Sequence, residues 1–265
     1  MLRVRVTPVH AIEIPEDLFR LVEHPPEQDF VVRRLSEKVA NGEPLIQGEL
    51  VIAGKETLAQ HPRSRDYPLH FRKTYYPTCF HQHPEEELRR HERAAEILPL
   101  APPIGCTRTS FRSCFIPGHP LDKLAPFGLE PPDANLRVAD EMTIAARVGL
   151  WQLFDSLHDQ IARLHRGGLV HGDLFLHNAI VSTAPIGVYP IDFESASERE
   201  DATSEEEWIE RCERDLVELR RSALYLLAVL GPQPGELASG AMSRIDALCP
   251  DGRAVRRRLG GSEEG

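Results

Sequence analysis

The sequence predicts an α+β chain in two parts: a mostly β part to about Ile116, then a mainly helical part. Three observations lead there. Leu69 to Tyr76, LHFRKTYY, alternates and is rich in aromatics, which is strand patterning, and the helix-forming run Pro84 to Leu98 follows it. From Leu150 on, Leu150, Leu153, Phe154, Leu157, Ile161 and Leu164 recur at intervals of three or four, one apolar face of a helix. After that helix, Ala179-Ile180-Val181 and Val188-Tyr189-Pro190-Ile191 are two short apolar runs separated by Ser182 to Gly187, a hairpin-like pair of strands.

A chain of 265 residues can be one large domain or two lobes sharing an interface. Hydrophobic content of 41% with 27% charged residues is that of an ordinary globular chain. No apolar run approaches the roughly 18 residues that span a bilayer. The start, MLRVRVTPVHAIEIPED, lacks the apolar core of a signal peptide. Five scattered Cys without a CxxC pair predict reduced thiols and a cytoplasmic setting. A net charge of −10 argues against a nucleic-acid or anionic-membrane partner. That charge is concentrated: residues 194–215 hold ten Asp and Glu against three Arg, a net of −7. A solvated surface is the plain reading, and an acidic rim for a cationic substrate the functional one.

In chain order, Arg3 to Ile14 alternates Val and Ile as one strand. Pro15 to Glu23 and Phe30 to Val39 read as short helices, the second stopped by Asn41-Gly42. Gly48 to Gly54 reads as a strand ending in a turn. Lys73 lies mid-strand in LHFRKTYY. The helix from Pro84 opens with Pro and three Glu, which suit a helix N-terminus, and Pro99 stops it. His81 and His83 read as loop histidines. Arg108 to Ile116 is a further strand, and 125–135 is loop-like. Gly167-Gly168 ends the amphipathic helix. Ser204 with Glu207 reads as a capping box opening a last helix, apolar on nearly all sides from Ala223 to Leu230. The C-terminal 256–265 reads as a frayed tail.

The chemistry is concentrated in Leu164 to Glu194. His171-Gly172-Asp173 is followed by Asn178 five residues after Asp173 and by Asp192 nineteen after it. Phosphoryl transfer needs positioning and charge neutralisation more than covalent help. Magnesium takes oxygen ligands and keeps several waters, so Asp192 and the Asn178 carbonyl suffice as its protein ligands. Asp173 suits the carboxylate that orients an acceptor hydroxyl and takes its proton. With these strands, Asn178 falls just before the first and Asp192 just after the second, at one edge of a small sheet. A metal site of His171, Asp173 and His177 is the alternative, but zinc sites usually show tighter ligand pairs or Cys.

HGDxxxxN, then a strand, then IDF, behind a helix ending in Leu-His, resembles the atypical kinase families: aminoglycoside and choline phosphotransferases, RIO-type kinases and lipopolysaccharide-core sugar kinases. The resemblance covers roughly residues 69–230. It implies a bilobal protein-kinase-like fold, with a mostly β N-lobe over 1–116 and a minimal helical C-lobe over 117–255, and it implies ATP and magnesium as cofactors. It further implies that Lys73 contacts the phosphates and pairs with a helix Glu, Glu92 by choice or Glu96 one turn later. Backbone groups near Phe115, Ile116 and Pro117 would meet the adenine edge. IPGHPLDKL, 116–124, resembles the segment linking the two lobes. Asp215 would support the loop backbone, with a plain cap or surface acid as the equal alternative, and His171 would hold the loop through hydrogen bonds. The chain departs from the pattern in having no GxGxxG, in Phe193-Glu194 where kinases have Phe-Gly, and in lacking an APE-like segment. The acceptor implied is a hydroxyl of a small molecule, a lipid-linked sugar or a protein. A pseudokinase scaffold and a transferase of another group are the competing functions.

Overall fold

The computed structural model describes residues 1–79, 83–121, 150–183 and 186–230. The loop expected at 125–135, His81 and the tail expected at 256–265 lie outside them. The described chain mixes helices with a five-stranded sheet, and it falls into two compact units. The first holds Met1–Ala95 and Pro99–Pro117; the second holds Glu96–Leu98, 118–121, 150–183 and 186–230. No helix among the described residues is long and apolar enough to cross a membrane.

In the first unit, the stretch expected as one strand is a hairpin: β1 (Leu2–Arg5) pairs antiparallel with β2 (Ala11–Ile14). Pro8 cannot continue a ladder, and the Thr7 hydroxyl closes the turn by accepting from the His10 N–H at 2.9 Å. Helix α1 spans Glu16–Glu23. The helix expected at Phe30 to Val39 is instead β3 (Phe30–Ala40), paired with β4 (Glu43–Ile52). Asn41-Gly42 is a hairpin turn and not a helix stop. Both residues take positive φ, 53° and 82°, which makes them the two-residue turn whose twist matches an antiparallel hairpin. Short α2 (Lys55–Gln60) leads to β5 (Leu69–Tyr75), then α3 (Pro84–Ile97), β6 (Pro103–Thr107) and β7 (Ser110–Cys114). The sheet order is β3-β4-β5-β7-β6, antiparallel throughout.

Register assigns the two faces of this sheet. Ile52 opposite Leu69, Leu50 opposite Phe71 and Gly48 opposite Lys73 share one face. There Leu50, Ile52 and Leu69 form a core with Val4, Val6 and Ile14, packed by Leu18 and Phe19 of α1. Glu49, Arg72 and Arg112 share the other face with His70. That face carries a buried ionic network. Asp29 accepts from Arg112 at 2.6 Å and Arg72 at 3.0 Å, and Arg72 also reaches Glu49 at 2.6 Å. Burial alone would raise the Asp29 carboxyl, but Arg112 and the Gly54 N–H outweigh it and hold the group down at about 2.

His70 is fully buried beside this network, and its Nε2 accepts from the Arg112 guanidinium at 3.1 Å. Burial, then the Arg112 charge, push its pKa from 6.5 down to about 3. Between those values the unfolded chain takes up a proton that the folded chain refuses. Stability therefore falls as pH drops through that window, by up to about 1.4 kcal/mol per pH unit for this one group. Urea midpoints between pH 7 and pH 4 should fall more steeply for the wild type than for His70→Asn; equal slopes would remove His70 as the cause. Burial also lowers His10 and His61, so the difference in slope is the quantity to read.

The second unit contains β8 (His119–Pro120), α4 (Leu150–Arg166), β9 (Leu169–Val170), β10 (Ala179–Thr183), β11 (Ile186–Pro190), β12 (Ser197–Glu198) and α5 (Glu205–Leu230). The apolar stripe of α4 is its buried face: Leu153, Leu157, Ile161 and Leu164 are each at most 2% exposed. Gly168 ends the helix with φ +80°, where a side chain would be strained. β10 and β11 form the expected hairpin, with Ala179 opposite Pro190, and β8 joins the open edge of β10. β9 pairs with β12, so the chain just before His171 is tied to the chain just after Ala196. At the start of α5, Ser204 accepts from the Glu207 N–H at 3.2 Å, while the Glu207 carboxylate takes the Thr203 N–H and hydroxyl, one residue earlier than the capping box predicts.

Candidate functional site

In the second unit the site is a loop held from below. After β9 the chain enters His171-Gly172-Asp173 and closes through a 3-10 turn at Leu176–Asn178. Asp215 on α5 is 2% exposed, and its carboxylate takes three hydrogen bonds. The His171 N–H donates to Oδ2 at 2.7 Å, the Gly172 N–H to Oδ1 at 2.8 Å, and His165 Nε2 lies 3.0 Å from Oδ2. Burial raises the Asp215 carboxyl, yet the bond from His165 and that from the His171 N–H help hold it below its ordinary value. Of the two readings open for Asp215, the loop support is the one observed.

The loop backbone has little freedom elsewhere. Gly172 has φ +80°, and a Cβ built there would meet the Ser195 carbonyl oxygen at 2.3 Å, so only glycine fits. The His171 ring is fully buried. Its Nε2 lies 2.9 Å from the Ile191 carbonyl and its Nδ1 receives the Asp173 N–H at 3.4 Å. Among the described residues, His171, Asp173 and His177 do not bring their ligand atoms together as a group that could hold a metal ion. Phe193 packs against the same ring, centroids 4.9 Å apart.

Asn178 and Asp173 meet on this loop. Asn178 is 3% exposed, and its Nδ2 donates to both the Asp173 carbonyl and Asp173 Oδ2 at 2.9 Å. That choice turns the amide oxygen away from Asp173, and oxygen is the atom a hard cation takes. The Ile191 N–H donates to the Asn178 carbonyl at 2.9 Å, so Asp192 follows directly on a residue bonded to Asn178. Asp192 is half-buried and has φ 64° and ψ 68°, left-handed backbone that is uncommon for Asp and costs about 1 kcal/mol or more. Strain of this kind persists only where the surroundings hold it, and here β11 precedes it and the Phe193–Ser195 turn follows it.

In the first unit, Lys73 is 5% exposed on β5 and its Nζ lies 3.2 Å from Oε1 of Glu87. The partner is therefore neither Glu92 nor Glu96. The buried face of α3 is Pro84, Glu87, His91 and Ala94, at intervals of three and four, while Glu92 and Glu96 are exposed. His91 fixes that rotation through its Nε2, 2.8 Å from the Ala101 carbonyl. Position along the helix does not select the partner; the phase that Glu87 shares with Pro84, His91 and Ala94 does. Phe115 is half-buried against the core under β4 and β5, and Ile116 and Pro117 are buried, in the extended chain that leaves β7.

No family model and no curated protein matches the chain. Among the candidate residues, Glu87 is the one that the sequence does not single out, and its place on the buried face of α3 with Pro84, His91 and Ala94 is the signal that marks it.

Proposed function

We propose that this chain is an ATP- and magnesium-dependent phosphotransferase of protein-kinase-like, bilobal architecture that transfers a phosphoryl group to a hydroxyl. The observation that carries the reading is the loop anchored by Asp215, in which Asn178 is bonded to Asp173 and Asp192 sits in strained backbone next to an Asn178-bonded residue. Such chemistry asks for positioned groups rather than covalent intermediates, and a loop fixed at both backbone and side chain is what positioning requires. The first unit supports it with an antiparallel hairpin, a strand lysine and a helix glutamate in the order that protein kinases use them.

The roles follow from the atoms available. Asp173 orients the acceptor hydroxyl and takes its proton. Asn178 and Asp192 hold magnesium, which neutralises charge on the phosphate oxygens. Lys73, held by Glu87, orients the phosphates, and the backbone of Phe115 to Pro117 meets the adenine edge. The acidic segment at 194–215 favours a basic or amine-bearing acceptor among small molecules, lipid-linked sugars and proteins. One observation favours a second reading, a nucleotide-binding pseudokinase. The β3–β4 hairpin turns on Asn41-Gly42 alone, with a single glycine where kinases use a glycine-rich loop to cover phosphates.

Thermal unfolding with ATP, with and without magnesium, tests both. A ligand at about a hundredfold excess over its Kd adds about 2.7 kcal/mol, which raises Tm by several degrees. The wild type should show a magnesium-dependent rise that Asp192→Ala lacks, and ATP turnover should disappear in that variant. A rise without turnover selects the pseudokinase; no rise at millimolar ATP rejects the nucleotide site, and undiminished turnover in Asp192→Ala rejects the metal assignment.

A further inference from the structure

We infer that Tyr75 is the positioning residue that holds Glu87 on Lys73, making the lysine–glutamate pair a permanent part of the sheet. The inference rests on the function proposed above. Residues two apart on a strand face the same way, so Lys73 and Tyr75 project from one face of β5 towards α3. Lys73, Tyr75 and Glu87 are 5%, 6% and 3% exposed. Glu87 uses one carboxylate oxygen for each neighbour: Oε1 accepts from Lys73 Nζ at 3.2 Å, and Oε2 accepts from the Tyr75 hydroxyl. The ammonium also lies 5.5 Å from the centroid of the Tyr75 ring, within cation–π range. The three groups close a triangle with two corners on a single strand.

A carboxylate that only met Lys73 would be free to turn about its own axis and to swing with its helix. Glu87 lies in the first turn of α3, where backbone bonds are fewest and fraying begins. The phenol removes that freedom, because with Oε2 taken by the sheet, Oε1 has one direction left, and Lys73 lies there. In this reading the pair needs no activating movement of the helix, which agrees with a sequence that lacks an APE-like segment.

Tyr75→Phe keeps the ring and deletes only the hydroxyl, so it tests the latch without emptying the core. Magnesium-ATP affinity, measured by titration, should weaken about tenfold, the scale of one bond to a charged group. Adenosine, which has no phosphates, should bind the variant and the wild type alike. In a Glu87→Gln background, Tyr75→Phe should weaken magnesium-ATP much less than tenfold, because the group through which it acts has changed. Equal losses for ATP and adenosine would show general damage to the unit and overturn the inference, as would a tenfold loss that persists beside Glu87→Gln. Urea unfolding of the same four proteins reads the latch without nucleotide. Non-additive midpoints are expected, and additive ones would show that Tyr75 does not hold Glu87. A wild type that binds no magnesium-ATP overturns the proposed function and the role at the phosphates, while the urea cycle still decides whether the latch exists.

Discussion

Asp215→Ala is expected to destabilise the second unit by about 3–5 kcal/mol, the range seen when one member of a buried, hydrogen-bonded charge group is deleted. The arithmetic is local. The substitution strips the acceptor from the His171 N–H, the Gly172 N–H and His165 at once. A buried donor left without a partner costs about 1–3 kcal/mol, and partial relaxation keeps the three losses from summing in full. Gly172 cannot relax far, since the Ser195 carbonyl closes the space beside it. Asp215→Asn should lie between, because the amide keeps one accepting oxygen. Urea unfolding followed by circular dichroism gives the ranking, and an alanine variant within 1 kcal/mol of the wild type, about the error of such a comparison, would remove the anchor from the account. The same clamp has an acid limit. The Asp215 carboxyl is depressed in the fold, so its contribution is complete above the unfolded value of about 4 and is lost as pH falls through the lower folded value.

Asp29→Ala is the counterpart in the first unit, and a drop in Tm on the order of 10 °C is expected from a loss of about 3–5 kcal/mol. Asp29 has a side chain only 4% exposed and meets two guanidinium groups. Their fates differ. Arg72 retains Glu49 at 2.6 Å. Arg112, whose side chain is 8% exposed, is left with the neutral ring of His70, which compensates no charge. The Gly54 N–H also loses its acceptor at 3.0 Å. The prediction has a check built in: Arg112→Met in the Asp29→Ala background should recover part of the loss, since it removes the stranded charge at similar length. A double variant less stable than the single one would mean that Arg112 is tolerated unpaired, and the network would be incidental.

The two units were not equally legible in the sequence. The region from Leu150 to Asp192 could be read because its signals are local: helical period in α4, two apolar runs for β10 and β11, and motif spacing that fixes Asp173 and Asn178 on one loop. The strand of Lys73 and the helix after it were legible for the same reason. Pairings set by rotation about a helix axis were not. Glu87 and Glu92 are equally good helix residues, and the choice between them depends on which face His91 and Ala94 bury. The strand state of β3 is hidden for a similar reason. FVVRRLSEKVA carries both helix-forming and β-branched residues, and its fate is decided by the partner strand across Asn41-Gly42. Asp29, 83 residues from Arg112 in sequence, left no local trace at all.

The Asp215 anchor also bears on the order in which the chain is made. His171, Gly172, Asp173, Asn178 and Asp192 all precede residue 204, so a product ending there would carry the whole motif. It would lack the acceptor for two loop N–H groups, which α5 alone supplies. During synthesis Asp215 is added 23 residues after Asp192, so the motif is made before the carboxylate that shapes it. A shortened form of this chain that keeps the motif letters but lacks Asp215 is consequently expected to have a loop without its anchor.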